Sequence, residues 1–137
     1  MLTTAAIDLI TSGVHGHVVT LDPDGRPHVT LAWCDVDDGD LVFATLFDQR
    51  KLRNLRADPR IAISFEARDA HGALLTPYLV VRGTATIEPG GAPELLRRLD
   101  PRYLEEDIDF PPLPDPPPGY ITRVVIDEVA GTGTAVG

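Results

Sequence analysis

Apolar and polar positions recur along this chain with a period that switches between that of a helix and that of a strand. Leu2, Ala6, Leu9 and Ile10 stand at helical spacing and Gly13 can end the segment, so a short N-terminal helix is predicted. Val14 to Leu21 is rich in β-branched residues and predicts a strand. Asp22-Pro23-Asp24-Gly25 has the composition of a turn, since Pro presets φ and Gly accepts a positive one. His28 to Val36 then predicts a second strand, hairpin-paired with the first. Asp37-Asp38-Gly39-Asp40 is the next turn and Leu41 to Leu46 the third strand, together a three-stranded antiparallel meander.

After Leu46 the period lengthens. Leu52 and Leu55 are flanked by Arg50, Lys51, Arg53, Asn54 and Arg56, which predicts a short amphipathic helix with Asp48 as N-cap and Pro59 as terminator. Ile61 to Glu66 predicts a fourth strand with Ile61, Ile63 and Phe65 on one face, and Arg68 to Gly72 a polar loop. Tyr78 to Ile87 predicts a long fifth strand in which Gly83 marks a bulge or bend. Pro93 to Leu99 predicts a helix carrying Leu95, Leu96 and Leu99. Residues 111 to 118 contain six prolines and predict an extended loop, and Tyr120 to Val129 the last strand. Six strands with short turns and short helices argue a mainly β fold, a closed antiparallel barrel with helical decorations, in a single domain of residues 1–137.

Composition narrows the function classes. With 137 residues and 43% apolar content the chain suffices for one core, and burial against a second copy would add to it. No run of about 18 apolar residues is present, and residues 1–13 lack a secretory pattern. The single Cys34 cannot form an internal disulfide, so a cytoplasmic protein is expected. A net charge of −9 argues against nucleic-acid or anionic-membrane partners.

Five of the twelve basic residues nonetheless lie between Arg50 and Arg60, and Lys51 is the only lysine. Cations in the first turns of a helix oppose its dipole and favour an anion. Free amides, the dipole, Lys51, Arg50 and Arg53 would together hold a phosphate, whereas a solvated basic helix face is the plainer alternative. A DNA-recognition helix would need a surrounding fold that these strands do not supply.

Three segments carry a resemblance: Leu-Asp-Pro-Asp-Gly-Arg-Pro-His-Val-Thr (21 to 30), Arg-Lys-Leu-Arg-Asn-Leu-Arg-Ala-Asp-Pro-Arg-Ile (50 to 61) and Tyr-Leu-Val-Val-Arg-Gly-Thr-Ala (78 to 85). In order and spacing they resemble the flavin/deazaflavin (F-420)-dependent oxidoreductases of the pyridoxamine 5'-phosphate oxidase-like FMN-binding split-barrel superfamily, notably its actinobacterial members. The resemblance implies a six-stranded split barrel and a homodimer with cofactor sites at the subunit interface. It implies that Arg50, Lys51 and Arg53 bind the cofactor phosphate with Gln49 beside them. Thr30, Leu31, Ala32 and Trp33 would line the ring, Thr45 and Leu46 would stand at the neighbouring strand end, and Tyr78 would be an aromatic contributed by the partner subunit. The implied function is a coenzyme F-420-dependent reductase that passes hydride to an unsaturated or quinone-like small molecule. The alternatives are an FMN-dependent oxidase or flavin reductase, or a non-enzymatic flavin or haem carrier. The cofactor carries the chemistry in this class, so no catalytic residue is assigned.

Other residues are expected to be structural. His15, His17 and His28 lack an acidic or cysteine partner at metal-ligand spacing, so no metal is expected. Cys34 is expected to be a buried small hydrophobe, and Asp37, Asp38 and Asp40 turn residues rather than a calcium loop.

Overall fold

The computed structural model of the chain describes residues 2–68, 76–104 and 111–132. Among these, three helices and seven strands follow in the order α1 (Thr4–Ile10), β1 (Gly16–Leu21), β2 (Pro27–Ala32), β3 (Cys34–Asp37), β4 (Asp40–Thr45), α2 (Arg50–Ala57), β5 (Arg60–Glu66), β6 (Tyr78–Pro89), α3 (Ala92–Tyr103) and β7 (Tyr120–Thr132). Most of the predicted polar loop at 68–72 lies outside the described residues.

All seven strands belong to one antiparallel sheet of order β2-β1-β5-β6-β7-β4-β3. The two edge strands, β2 and β3, are separated in the chain by Trp33 alone. Ala32 pairs with Gly16 of β1 while Cys34 pairs with Phe43 of β4. A sharp bend at Trp33 therefore joins the two ends of the sheet and rolls it into a split barrel.

This geometry corrects two expectations. The predicted strand 28–36 is two strands, which raises the count from six to seven. The predicted meander is instead two hairpins at opposite ends of the sheet, because β2 and β4 are not neighbours. Alternation continues through the bend, with Ala32 and Cys34 both buried, so the sequence pattern carries no trace of it.

The turns follow local chemistry. Gly25 N–H donates to the Asp22 carbonyl at 2.8 Å, and the β3–β4 hairpin turns through Asp38 (φ 51°) and Gly39 (φ 82°). At Gly83 the β6–β7 register shifts, and a Cβ there would stand 2.1 Å from the Val125 carbonyl oxygen. The expected irregularity is thus a bulge that only glycine fits.

Phe43, Ile63, Phe65, Leu79, Val81 and Val124 fill the barrel. Val42 points outward from β4 and packs with Leu95 and Leu99 of α3, so β4 is covered on both faces. α3 runs one turn beyond its predicted end, which brings Arg102 and Tyr103 back against the bend.

Candidate functional site

The strand-to-helix passage from β4 to α2 places its basic side chains by helical phase. Lys51, Leu52, Asn54 and Leu55 turn inward, whereas Arg50, Arg53 and Arg56 turn outward. The expected cluster of Arg50, Lys51 and Arg53 is therefore divided. Arg50 Nε donates to Asp22 Oδ1 at 3.0 Å, and its guanidinium is ion-paired with that carboxylate. Hydrogen bonding from Asn54, with that from Arg50, holds the Asp22 carboxyl below its ordinary range. Arg53 Nη1 donates to the Asp48 carbonyl at 2.7 Å, and Arg56 takes the Asp48 carboxylate at 2.8 Å. Asp48 is thus not the N-cap; Gln49 holds that position and makes no side-chain capping bond. The first-turn amides of α2 therefore have no side-chain acceptor at the cap.

Lys51 is only 5% exposed. Its Nζ donates to Thr30 Oγ1 at 3.3 Å and lies 5.4 Å from the centroid of the Phe43 ring. No carboxylate pairs with it among the described residues, and burial pulls its pKa below the usual lysine value. A buried ammonium with one hydroxyl partner is electrostatically incomplete and favours an anion.

That ammonium lies at the wall of a cavity of about 460 Å³, within the range of small-molecule sites. Leu31, Ala32 and Trp33 from the bend form one side of it, and Thr45, Leu46 and Gln49 the other. The Thr45 hydroxyl is buried and has no hydrogen-bond partner among the described residues. Thr30 joins the site through Lys51. Arg50, Arg53 and Tyr78 do not line the cavity. Tyr78 stands on β6, 41% exposed.

Tyr103 and Asp35 were not read from the sequence. Trp33 stacks on Tyr103, with centroids 4.9 Å apart and planes 8° from parallel, and His15 packs against the same tyrosine at 5.4 Å. The Tyr103 hydroxyl accepts from Cys34 N–H at 3.0 Å and lies 3.1 Å from the Val14 carbonyl, to which it can donate. Burial pushes its pKa up to about 12. Tyr103 thus clamps the bend and orients Trp33 toward the cavity. Asp35 next to the bend accepts from both Arg98 and Arg102 at 2.9 Å. Burial opposes its ionisation, but bonds from Arg102, the Val36 amide and Arg98 prevail and lower its pKa. No sequence spacing links residues 33–35 with 98–103; only the length of α3 brings them together.

Burial raises the Cys34 thiol to about 12, so it is not a thiolate nucleophile at neutral pH. His28 pairs with Thr20, on the opposite side of the hairpin from His17, so the three imidazoles do not converge. Among the described residues no helix is long and apolar enough to cross a membrane.

Comparison with known proteins adds to this geometry. The family model described as pyridoxamine 5'-phosphate oxidase matches residues 3–133. No curated protein matches the chain. A solved F-420 reductase is similar over 90% of this chain and 94% of its own, with 28% identity and a TM-score of 0.75. A FAD-binding protein from Mesorhizobium loti is 17% identical over 94% of this chain and 93% of its own, with a TM-score of 0.65. A heme binding protein from Mycobacterium smegmatis is 22% identical over 96% of this chain and 55% of its own, with a TM-score of 0.66. The last two likenesses concern the fold alone.

Proposed function

Because the chain belongs to the pyridoxamine 5'-phosphate oxidase family, we propose that its Lys51 cavity holds the phosphate end of a flavin-type cofactor and that the protein is an oxidoreductase. The observation that carries this reading is the buried Lys51 ammonium, which faces a cavity and has no carboxylate partner among the described residues. The residues fit such a group. Lys51 and the uncapped amides of α2 would take the phosphate. The backbone of residues 30–33 with Trp33 would flank the ring. Arg50 and Arg53 would contribute long-range charge, or direct contact once released from Asp22 and Asp48.

The bound cofactor supplies hydride chemistry. The chain's own part is to fix the ring's depth through Lys51, to keep water from one face through Leu31, Trp33 and Leu46, and to leave the other face open for an acceptor. Coenzyme F-420 is preferred to FMN, supported by the likeness to a solved F-420 reductase at 28% identity. The acceptor is then an unsaturated or quinone-like small molecule.

Titration separates the cofactors. Colourless purified protein that quenches added F-420 fluorescence supports the preferred reading. A bound FMN spectrum would move it to the FMN-dependent alternative, and a Soret band to haem carriage.

The same reading makes the protein a homodimer. Val29 and Leu31 are 58% and 54% exposed on β2 and share an outer face with Val19 of β1. Tyr78 and Val80 of β6 extend that face through β5. A second copy seated on Val19 and Val29 would leave the Leu31 end of that face open and bring its own Tyr78 toward a neighbouring site. Light scattering should give twice the chain mass, and a monomer at micromolar concentration would overturn the dimer.

A further inference from the structure

A second hollow, of about 440 Å³, shares His15 and Leu31 with the Lys51 cavity. Val14 and Leu31 give it apolar walls, while His15, His17, Glu66 and Arg68 are its titratable groups. Arg68 donates to the Gly13 carbonyl at 2.8 Å and has no carboxylate partner among the described residues. Among the described residues no other acceptor is shown for its planar fork. The hollow thus holds one guanidinium, one carboxylate and two imidazoles, on a chain whose net charge is −9 with histidine neutral. A guanidinium without a carboxylate partner favours an anion, and the apolar walls favour a hydrocarbon body attached to it.

We propose that this hollow is a subsite for the carboxylate-bearing end of a planar, unsaturated acceptor. Arg68 and His15 would hold the carboxylate. The apolar body would lie along Leu31, so that its unsaturated carbons reach the neighbouring cavity. The carboxylate site stands on these residues alone; its role as an acceptor subsite rests on the cofactor reading above. Carboxylates could also come from the polyglutamate tail of a deazaflavin cofactor. Apolar walls at Val14 and Leu31 favour the acceptor, because a hydrophilic tail gains nothing from them.

The test is calorimetric titration of the cofactor-free protein with 2-naphthoate. Binding is expected, and Arg68→Gln and His15→Gln should each weaken it by at least about fivefold to tenfold, the loss of one charge-assisted hydrogen bond. Lys51→Met should leave it within about twofold, since that ammonium belongs to the other cavity. Naphthalene-2-carboxamide, of the same shape without charge, should bind more weakly by a similar factor. Arg68→Gln also disturbs the tie to Gly13, so thermal unfolding is measured alongside; His15 makes no such tie, and its variant carries the test if Arg68→Gln does not fold. Unchanged affinity in His15→Gln together with folded Arg68→Gln would overturn the subsite. Loss of 2-naphthoate in Lys51→Met would place the anion in the cofactor cavity instead. Displacement of 2-naphthoate by tri-γ-glutamate at equal affinity would assign the hollow to the cofactor tail. Cofactor affinity that does not change in Lys51→Met would overturn the acceptor role while leaving these carboxylate measurements as they are, so the two failures are distinguishable.

Discussion

Replacing Lys51 by methionine removes a charge and keeps the length of the side chain. In the cofactor-free protein the ammonium is buried beside Thr30 and the Phe43 ring without a counterion among the described residues. Its pKa is lowered by desolvation, with a smaller opposing influence from Cys34. A base with a depressed folded pKa destabilises the fold while it is protonated. Between that value and the unfolded value of about 10.4, the unfolded chain holds more protons than the folded one, so stability rises with pH. Lys51→Met should therefore be at least as stable as wild type near neutral pH and should lack the alkaline gain. Its effect on cofactor binding should be opposite in sign. A hydrogen bond to a charged group contributes about 1.5–3 kcal/mol, which corresponds to roughly a 10- to 150-fold rise in Kd. The upper part of that range is expected, because the site is buried and Arg50 and Arg53 are engaged elsewhere. Fluorescence quenching with F-420 and absorbance titration with FMN read the affinity, and thermal unfolding with and without cofactor reads the linkage. At a ligand concentration 100 times Kd, wild type should gain about 2.7 kcal/mol of stability, most of which the variant should lose. A folded Lys51→Met protein with wild-type cofactor affinity would refute the reasoning.

Tyr103→Phe keeps the stack on Trp33 but removes the hydroxyl that serves Cys34 and Val14. Leaving those backbone groups short of partners should cost about 1–3 kcal/mol in urea unfolding and weaken cofactor binding through a looser bend. Asp35→Asn breaks the charged bonds to Arg98 and Arg102. Because the folded Asp35 pKa is lowered, wild type should hold that contribution above about pH 4 and lose it as pH falls below, whereas the variant should show a flatter acid profile in pH-dependent unfolding. Gly83→Ala should destabilise clearly, since its Cβ would meet the Val125 carbonyl at 2.1 Å. Gly25→Ala meets open space and should cost only the strain of its φ of +86°, about 1–2 kcal/mol, so equal Tm values for the two variants would contradict the bulge assignment.

Local chemistry made much of the fold legible. The Asp22–Gly25 and Asp37–Asp40 turns, the inward row Ile61, Ile63 and Phe65, and the irregular Gly83 are each set by a residue and its near neighbours. The strand-to-helix passage at 45–51 was readable too, because a change of period marks it. The cavity that now joins Leu31, Ala32, Trp33, Thr45, Leu46, Gln49 and Lys51 had been indicated by resemblance rather than by spacing.

Other features depended on contacts between distant parts of the chain. Residue type grouped Arg50, Lys51 and Arg53, but the packing of Leu52 and Leu55 set the helix's rotation, and that rotation sends Lys51 inward and the arginines out to Asp22 and Asp48. The bend at Trp33 arises because the two halves of one alternating run pair with different strands, a choice invisible to a period-two pattern. Tyr103 reaches it only because α3 continues past Pro101. Side-chain periodicity is a local property of the backbone and can be read along the chain. Whether a charge finds a counterion is a property of the space around it, and the closed sheet had to form before that space existed.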